Sequence, residues 1–223
     1  MIRVGVIGVG HLGSIHASLW RNVQGVQLVG VVDHDAATAA RVAASAGTKV
    51  YESVTALLSD VDAVSIVTPT QTHAAVALEA LAAGIHCFIE KPIAATVSAA
   101  REIDALAKKN SRVVQIGHIE RFNPALLALD KTIVEPLFIE SHRLAQYKPR
   151  ATDVAVVHDL MIHDVNQVFL PAIYLCQSRS KVFNVLSLLD FFFNASDEEI
   201  ADNQYQNRRR TSNNTNDRES LQK

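Results

Sequence analysis

Cysteine is nearly absent: the 223 residues hold only Cys87 and Cys176. Two thiols cannot staple a small scaffold or complete a four-cysteine zinc site, and they suit a reduced, cytoplasmic setting. Aromatic residues make up only 6%, so the core must be built mainly from Ala, Val, Ile and Leu. Neither sign of charge dominates, since 21 basic and 23 acidic residues leave a net charge of −2. That balance gives no support to a nucleic-acid or anionic-membrane partner. No run reaches the roughly 18 apolar residues that a membrane span requires. The apolar N-terminus is punctuated by glycines and lacks a basic leader and a small-residue cleavage site, so no signal peptide is expected. At 48% hydrophobic residues the composition is that of an ordinary globular protein. The length is generous for one domain and short for two.

The front of the chain alternates between two periods. Residues 2–7 (IRVGVI) are a continuous apolar run, as expected of a strand covered on both faces. A helix over 11–22 follows, then a strand at 26–32 and an Ala-rich helix over 35–46 stopped by Gly47. A short strand (TKVY), a short helix from Ser53 and a strand at 63–67 come next. A helix over 71–83 ends at Gly84. A strand at 85–90, a helix over 96–109 and a strand at 112–117 complete the series. Strands alternating with such helices predict a Rossmann-type α/β fold, a doubly wound parallel sheet. After Gly117 the rhythm changes. A helix over 123–135, a strand over 137–145 and a helix over 153–169 suggest the start of a second domain. The apolar run 181–193 is ambiguous between helix and strand. The end differs in composition: six asparagines lie between Asn194 and Asn216, against four before Asn184. Residues 194–223 have too little apolar surface to offset their ordering entropy and are read as a disordered tail. The expected organisation is therefore a dinucleotide-binding domain over 1–120, an incomplete α/β second domain over 121–193, and the tail.

Four motifs carry chemistry. The first is Gly8-Val9-Gly10-His11-Leu12-Gly13, at a strand–helix junction. Gly8 permits a tight turn, Gly10 lets the backbone approach a pyrophosphate, and Gly13 permits close helix–strand packing. Asp33 ends the second strand, where a carboxylate can accept both ribose hydroxyls and repel a 2′-phosphate. No Arg follows it, so NAD is preferred over NADP. The second is Thr68-Pro69-Thr70 with His73, where strand ends should line the crevice; Thr70 could equally be a helix cap. The third is Glu90-Lys91-Pro92, which sends a lysine into the same crevice, although alone a Lys-Pro turn is an ordinary surface feature. The fourth is His158-Asp159…His163-Asp164. On a helix, Asp159 and His163 share a face, so a carboxylate could hold an imidazole as a general base. A satisfied helical histidine is the plain alternative. A metal site lacks further ligands at a suitable spacing, so none is expected.

In combination these motifs resemble the glucose–fructose oxidoreductase / inositol dehydrogenase / MocA family, from Met1 to about Phe169. GHIERFNPA at 117–125, FIESHRLA at 138–145 and TDVAVVHDLMIHDVN at 152–166 are similar to its bacterial nucleotide-sugar dehydrogenase branch. Members of that branch act on UDP-N-acetylglucosamine-like substrates for lipid A or other surface glycans. The resemblance implies an NAD-binding Rossmann domain and a second α/β domain whose open sheet walls the substrate site and often forms a homo-oligomer interface. It implies that Lys91 and His163 are catalytic, with Asp159 as the acidic partner of the histidine. The cofactor would lie along Gly8, Gly10, His11, Leu12, Gly13, Asp33, Thr68, Pro69, Thr70, His73, Glu90 and Lys91. Arg121 and Asn123 become candidates for substrate contact. The implied reaction moves a hydride from a sugar carbinol to nicotinamide while a base takes the hydroxyl proton.

From roughly Leu170 the family pattern fades. A truncated or frame-shifted end is therefore expected, with much of the second sheet missing and oligomer formation in doubt. Two classes of function follow: an NAD-dependent nucleotide-sugar dehydrogenase, or a non-catalytic remnant that holds the dinucleotide without turning it over.

Overall fold

The computed structural model describes residues 1–124, 142 and 161–165. All of them belong to the first of two compact units into which the chain divides, Met1–Arg179. In chain order the elements are β1 (Ile2–Ile7), α1 (His11–Trp20), β2 (Val26–Val32), α2 (Ala36–Ala46), β3 (Lys49–Val50) and α3 (Val54–Leu58). Then come β4 (Ala63–Ile66), α4 (Thr70–Ala82), β5 (His86–Ile89), α5 (Val97–Lys109), β6 (Val114–Ile116) and a single 3-10 turn, Ile119–Phe122.

The alternation predicted from sequence is present, and the six strands form one sheet in the order β3-β2-β1-β4-β5-β6. Every neighbouring pair is parallel. This is the doubly wound order, which reverses between β1 and β4 and opens a crevice at the carboxyl ends of those two strands. β1 is buried continuously from Val4 to Ile7, as an apolar run between two helical layers should be. One face packs Val6, Val9 and Val31 against Ala17, Ala39, Val42, Ala43 and Ala46 of α1 and α2. The other packs Ile7, Val64, Ile66 and Ile89 against Leu57, Leu81 and Ile103. Small alanines on the helices let them approach the sheet closely, which suits a chain poor in aromatics. Leu81 is fully buried, and its truncation to Ala would cost roughly 2–5 kcal/mol.

Register fixes the site. Ile7 pairs with Val32 and with Ile66. Ile66 pairs with Ile89, and Ile89 with Ile116. Because the sheet is parallel, the segments following these residues leave at one rim. They are Gly8, Asp33, Val67-Thr68, Glu90-Lys91 and Gly117-His118.

Two local differences from the sequence reading stand out. The first helix stops at Trp20 rather than residue 22. The Asn22 and Val23 N–H groups turn back onto the Leu19 and Trp20 carbonyls, and Gly25 adopts φ +82° so that β2 can begin at Val26. The 3-10 turn after β6 was not anticipated. The expected helix over 123–135, strand over 137–145, run 181–193 and tail 194–223 lie outside the described residues, as does Cys176. Of the expected helix over 153–169, residues 161–165 are described and are helical.

Candidate active site

The glycine loop does what its spacing implies. Gly8 has φ +82°, and a Cβ there would sit 2.7 Å from the Thr68 backbone nitrogen. A side chain is thus excluded twice, by conformation and by the approach of β1 to the end of β4. A Cβ at Gly13 would overlap the Gly8 carbonyl oxygen, so this glycine lets α1 pack against the turn. Gly10 differs, since a Cβ there would meet nothing within 4 Å. Among the described residues no contact requires a glycine at position 10. The open space above it is where a ligand backbone could approach.

Helix capping separates the crevice from the rest of the fold. Asp35 caps α2, Ser53 caps α3 and Thr96 caps α5, each accepting from a backbone N–H. α1 and α4 have no side-chain cap, and neither has an acidic residue in its first turn. These are the two helices that start at the switch point. Their first amides and positive dipole ends are left for an anion. The cap reading of Thr70 is corrected here: Pro69 holds the cap position, and Thr70 lies inside the helix and buried.

Asp33 sits at the end of β2 and faces the loop. Its Oδ2 accepts the Val9 N–H at 2.6 Å, and its Oδ1 accepts the Asp35 N–H at 2.9 Å. The carboxylate therefore pins the glycine loop to β2. His34 Nδ1 also lies 2.9 Å from Oδ1. An ionised carboxylate has about four acceptor positions, so about one remains for a ribose hydroxyl, and a second requires the exposed His34 ring to move aside. Thr68 leaves its hydroxyl oxygen buried with no hydrogen-bond partner. His73 lies behind the crevice rather than in it, at 1% exposed. Its Nε2 is 2.8 Å from the Thr68 carbonyl and its Nδ1 is 2.8 Å from the Pro92 carbonyl. The ring bridges the loop after β4 to the turn after β5, so its contacts are with the chain.

The Lys91–Pro92 peptide in that turn is cis. Glu90 points away from solvent. Its Oε1 lies 3.1 Å from His16 Nε2, and its Oε2 accepts the Lys91 N–H at 3.2 Å. Burial pushes the Glu90 carboxyl up, but His16 by hydrogen bond and charge, and Lys91 by backbone N–H and charge, together hold it below the ordinary glutamate value. His16 in turn places Nδ1 2.8 Å from the Ser65 hydroxyl.

At the exit of β6, His118 has a buried Nδ1 with no hydrogen-bond partner. Its pKa is pushed down to about 4, first by burial and then by the charges of Arg121 and His163, with Lys91 adding to the effect and Glu90 opposing it. Lys91, Arg121, His163 and Glu90 thus share one electrostatic neighbourhood around a neutral imidazole. Of the expected pair, Lys91 and His163 each act by charge on the His118 imidazole. Asn123 donates to Glu120 Oε2 at 3.1 Å. His158 and Asp159 lie outside the described residues. Among the described residues no group of three or more His, Cys, Asp or Glu is placed to hold a metal ion, and no helix is long and apolar enough to cross a membrane. Cys87 is buried in β5, and burial pushes its thiol up to about 12, so it stays protonated.

Sequence reasoning missed His16, Ser65 and His118. His118 stood in a stretch already singled out by resemblance. His16 and Ser65 gave no signal, because a pair separated by forty-nine positions forms no local pattern.

The residues fit a dinucleotide on four structural counts: the space over Gly10, the uncapped starts of α1 and α4, the orphaned Thr68 hydroxyl and the carboxylate of Asp33. Comparison with known proteins agrees. Residues 2–118 match the GFO_IDH_MocA family, described as "Oxidoreductase family, NAD-binding Rossmann fold". The chain is 47% identical to UDP-N-acetylglucosamine 3-dehydrogenase of Acidithiobacillus ferrooxidans over 170 residues, covering 76% of this chain and 54% of that protein. The solved structure of that enzyme, GnnA, superposes with a TM-score of 0.72 over the same shares. Inositol 2-dehydrogenase of Rubrobacter xylanophilus is 36% identical over 175 residues, covering 74% and 50%. GenD2 from gentamicin A biosynthesis, solved in complex with NAD, is 29% identical with a TM-score of 0.57, covering 58% and 38%. The chain spans about half the length of the curated relatives it matches.

Proposed function

Because the chain belongs to the GFO_IDH_MocA oxidoreductases, with their NAD-binding Rossmann fold, we propose that it oxidises a hydroxyl carbon of a nucleotide sugar, passing the hydride to NAD. The observation that carries this reading is the common rim. The sheet register delivers the glycine loop, Asp33, Thr68, Lys91 and His118 to one edge, and His163 acts electrostatically on the same imidazole as Lys91.

Gly10 and the first amides of α1 would hold the pyrophosphate, and Asp33 the adenosine ribose, where its charge disfavours a 2′-phosphate. Bound NAD supplies the hydride acceptor. The protein's own groups handle the proton. His163 takes it from the sugar hydroxyl as the C–H bond breaks, an imidazole being suited to that task near neutral pH. Lys91 Nζ donates a hydrogen bond to the oxygen as it gains negative charge. Asp159, a turn away from His163 in sequence, would orient the imidazole. Arg121 adds positive charge beside the site, which favours a substrate carrying phosphates. UDP-N-acetylglucosamine is the first candidate, on the 47% identity to an enzyme of that name.

The test is a panel of nucleotide sugars and free sugars incubated with the full chain and NAD, read by the absorbance of reduced nicotinamide. Reduction with UDP-N-acetylglucosamine and not with inositol or free sugars supports the proposal. Dinucleotide binding without reduction across the panel would leave the second reading, a chain that holds NAD without turnover.

A further inference from the structure

We infer that His16 and Glu90 are positioning residues: a largely buried Ser65–His16–Glu90 chain ties the helix that opens at the glycine loop to the backbone of Lys91, and so sets the turn presenting that lysine. The catalytic meaning of this inference rests on the role proposed for Lys91; its geometry does not.

The three side chains come from separate elements. Ser65 is on β4, His16 on α1, and Glu90 directly after β5. They are poorly exposed, with Ser65 at 0% and the His16 and Glu90 side chains at 15% and 13%. Buried polar groups are costly unless each is satisfied. Here each is: the Ser65 hydroxyl meets His16 Nδ1, His16 Nε2 meets Glu90 Oε1, and Glu90 Oε2 accepts the Lys91 N–H. The chain therefore ends at a backbone atom of the lysine. Apolar packing holds the relay from the side, since the Phe88 ring meets the edge of His16 with centroids 5.6 Å apart and meets Trp20 at 6.4 Å. Gly117 completes the arrangement. A Cβ there would sit 2.8 Å from Glu90 Oε1 and 3.0 Å from its Cδ, so any other residue would push the carboxylate out of its present position as the chain passes on to His118.

Three segments of the rim thus converge on one carboxylate: α1 through His16, the Lys91 turn through its amide, and the exit of β6 through the gap at Gly117. An aliphatic pair could fill the same volume for packing alone. A fully bonded polar chain adds directional constraint, which a catalytic group requires and a core does not.

Glu90-Lys91 is the one Glu-Lys step in the sequence. Labelling glutamate carbonyl carbon and lysine amide nitrogen therefore isolates the Lys91 amide as a single NMR signal in the full chain. His16→Ala should move that signal, although His16 bonds to the Glu90 side chain and not to the amide. Glu90→Ala and Glu90→Gln abolish the Glu-Lys step, so in those variants the Lys91 amide is identified by full backbone assignment. Glu90→Ala should move it further than Glu90→Gln, which keeps an acceptor. In turnover, His16→Ala should lower kcat roughly ten- to a hundredfold, the scale expected of a misplaced catalytic group. NADH affinity should stay within about threefold, because the glycine loop is untouched. If His16→Ala does not fold, His16→Gln is read in the same two ways. A purely structural pair would lower the melting temperature and leave the Lys91 signal in place, and that result overturns the inference. Where the wild-type chain shows no turnover, the amide signal still decides. Normal turnover in Lys91→Ala would reject the lysine assignment and leave the relay standing.

Discussion

The two ends of the rim are built from different material. At the glycine loop the chemistry belongs to the backbone: bare amides of α1, a positive φ at Gly8, and absent side chains at Gly10 and Gly13. At the lysine turn it belongs to side chains that meet from distant positions, Ser65 with His16 and His16 with Glu90. Asp33 connects the two styles, as a side chain whose work is to fix a backbone loop through Val9. A site made of backbone tolerates no added carbon. A site made of side chains tolerates shape changes but not the loss of one partner.

The largest effect should come from the backbone end. Gly13→Ala drives a methyl group into the Gly8 carbonyl oxygen, so α1 must shift. Stability should drop by about 3 kcal/mol, read by urea denaturation, and dinucleotide binding should be lost. A variant as stable as wild type would break the comparison.

Next is the side-chain end. Lys91→Ala should lower kcat by about a hundredfold or more, within the range of general acid–base and oxyanion assistance. NADH binding, measured by fluorescence titration, should change little. Equal losses in both would mean that the lysine belongs to the cofactor end instead.

Asp33→Ala removes the acceptor for the Val9 and Asp35 amides as well as the expected ribose contact. NADH affinity should fall about tenfold, as for a hydrogen bond to a charged group, and the preference over NADPH should narrow.

The last effect is in pH. His118 is held near 4 when folded, against 6.5 for the free side chain. Between these values the unfolded chain binds the extra proton. Stability from this group is complete above about 6.5 and is lost as pH falls toward 4, with a slope of at most about 1.4 kcal/mol per pH unit. His118→Gln should flatten that part of the stability–pH curve. An unchanged curve would place the imidazole in solvent.

This division explains what could be read in advance. Strand runs such as IRVGVI, the Ala-rich helix 35–46 and the stop at Gly47 are local signals. Each encodes its own element, so the sheet emerges from their alternation. The glycine loop was legible for the same reason, since its constraint is written within six consecutive residues. The lysine turn was visible only as a short motif. The partners that place it lie on α1 and β4, and nothing near Glu90 in the sequence points to His16. His73 shows the opposite error, because a histidine beside a crevice motif was expected to line the crevice. Its ring instead joins two carbonyls behind it. Thr70 was read as a possible cap by residue type, whereas Pro69 takes that place.

The central claim is that a dinucleotide crosses the open rim over Gly10, and Gly10→Ala examines it most directly. A Cβ at this position meets nothing within 4 Å among the described residues, so the melting temperature without ligand should match wild type. Calorimetric titration with NADH should then show affinity reduced about tenfold or more, because the methyl group occupies the approach of the pyrophosphate. NADH binding as tight in Gly10→Ala as in wild type would place the dinucleotide elsewhere and contradict the account.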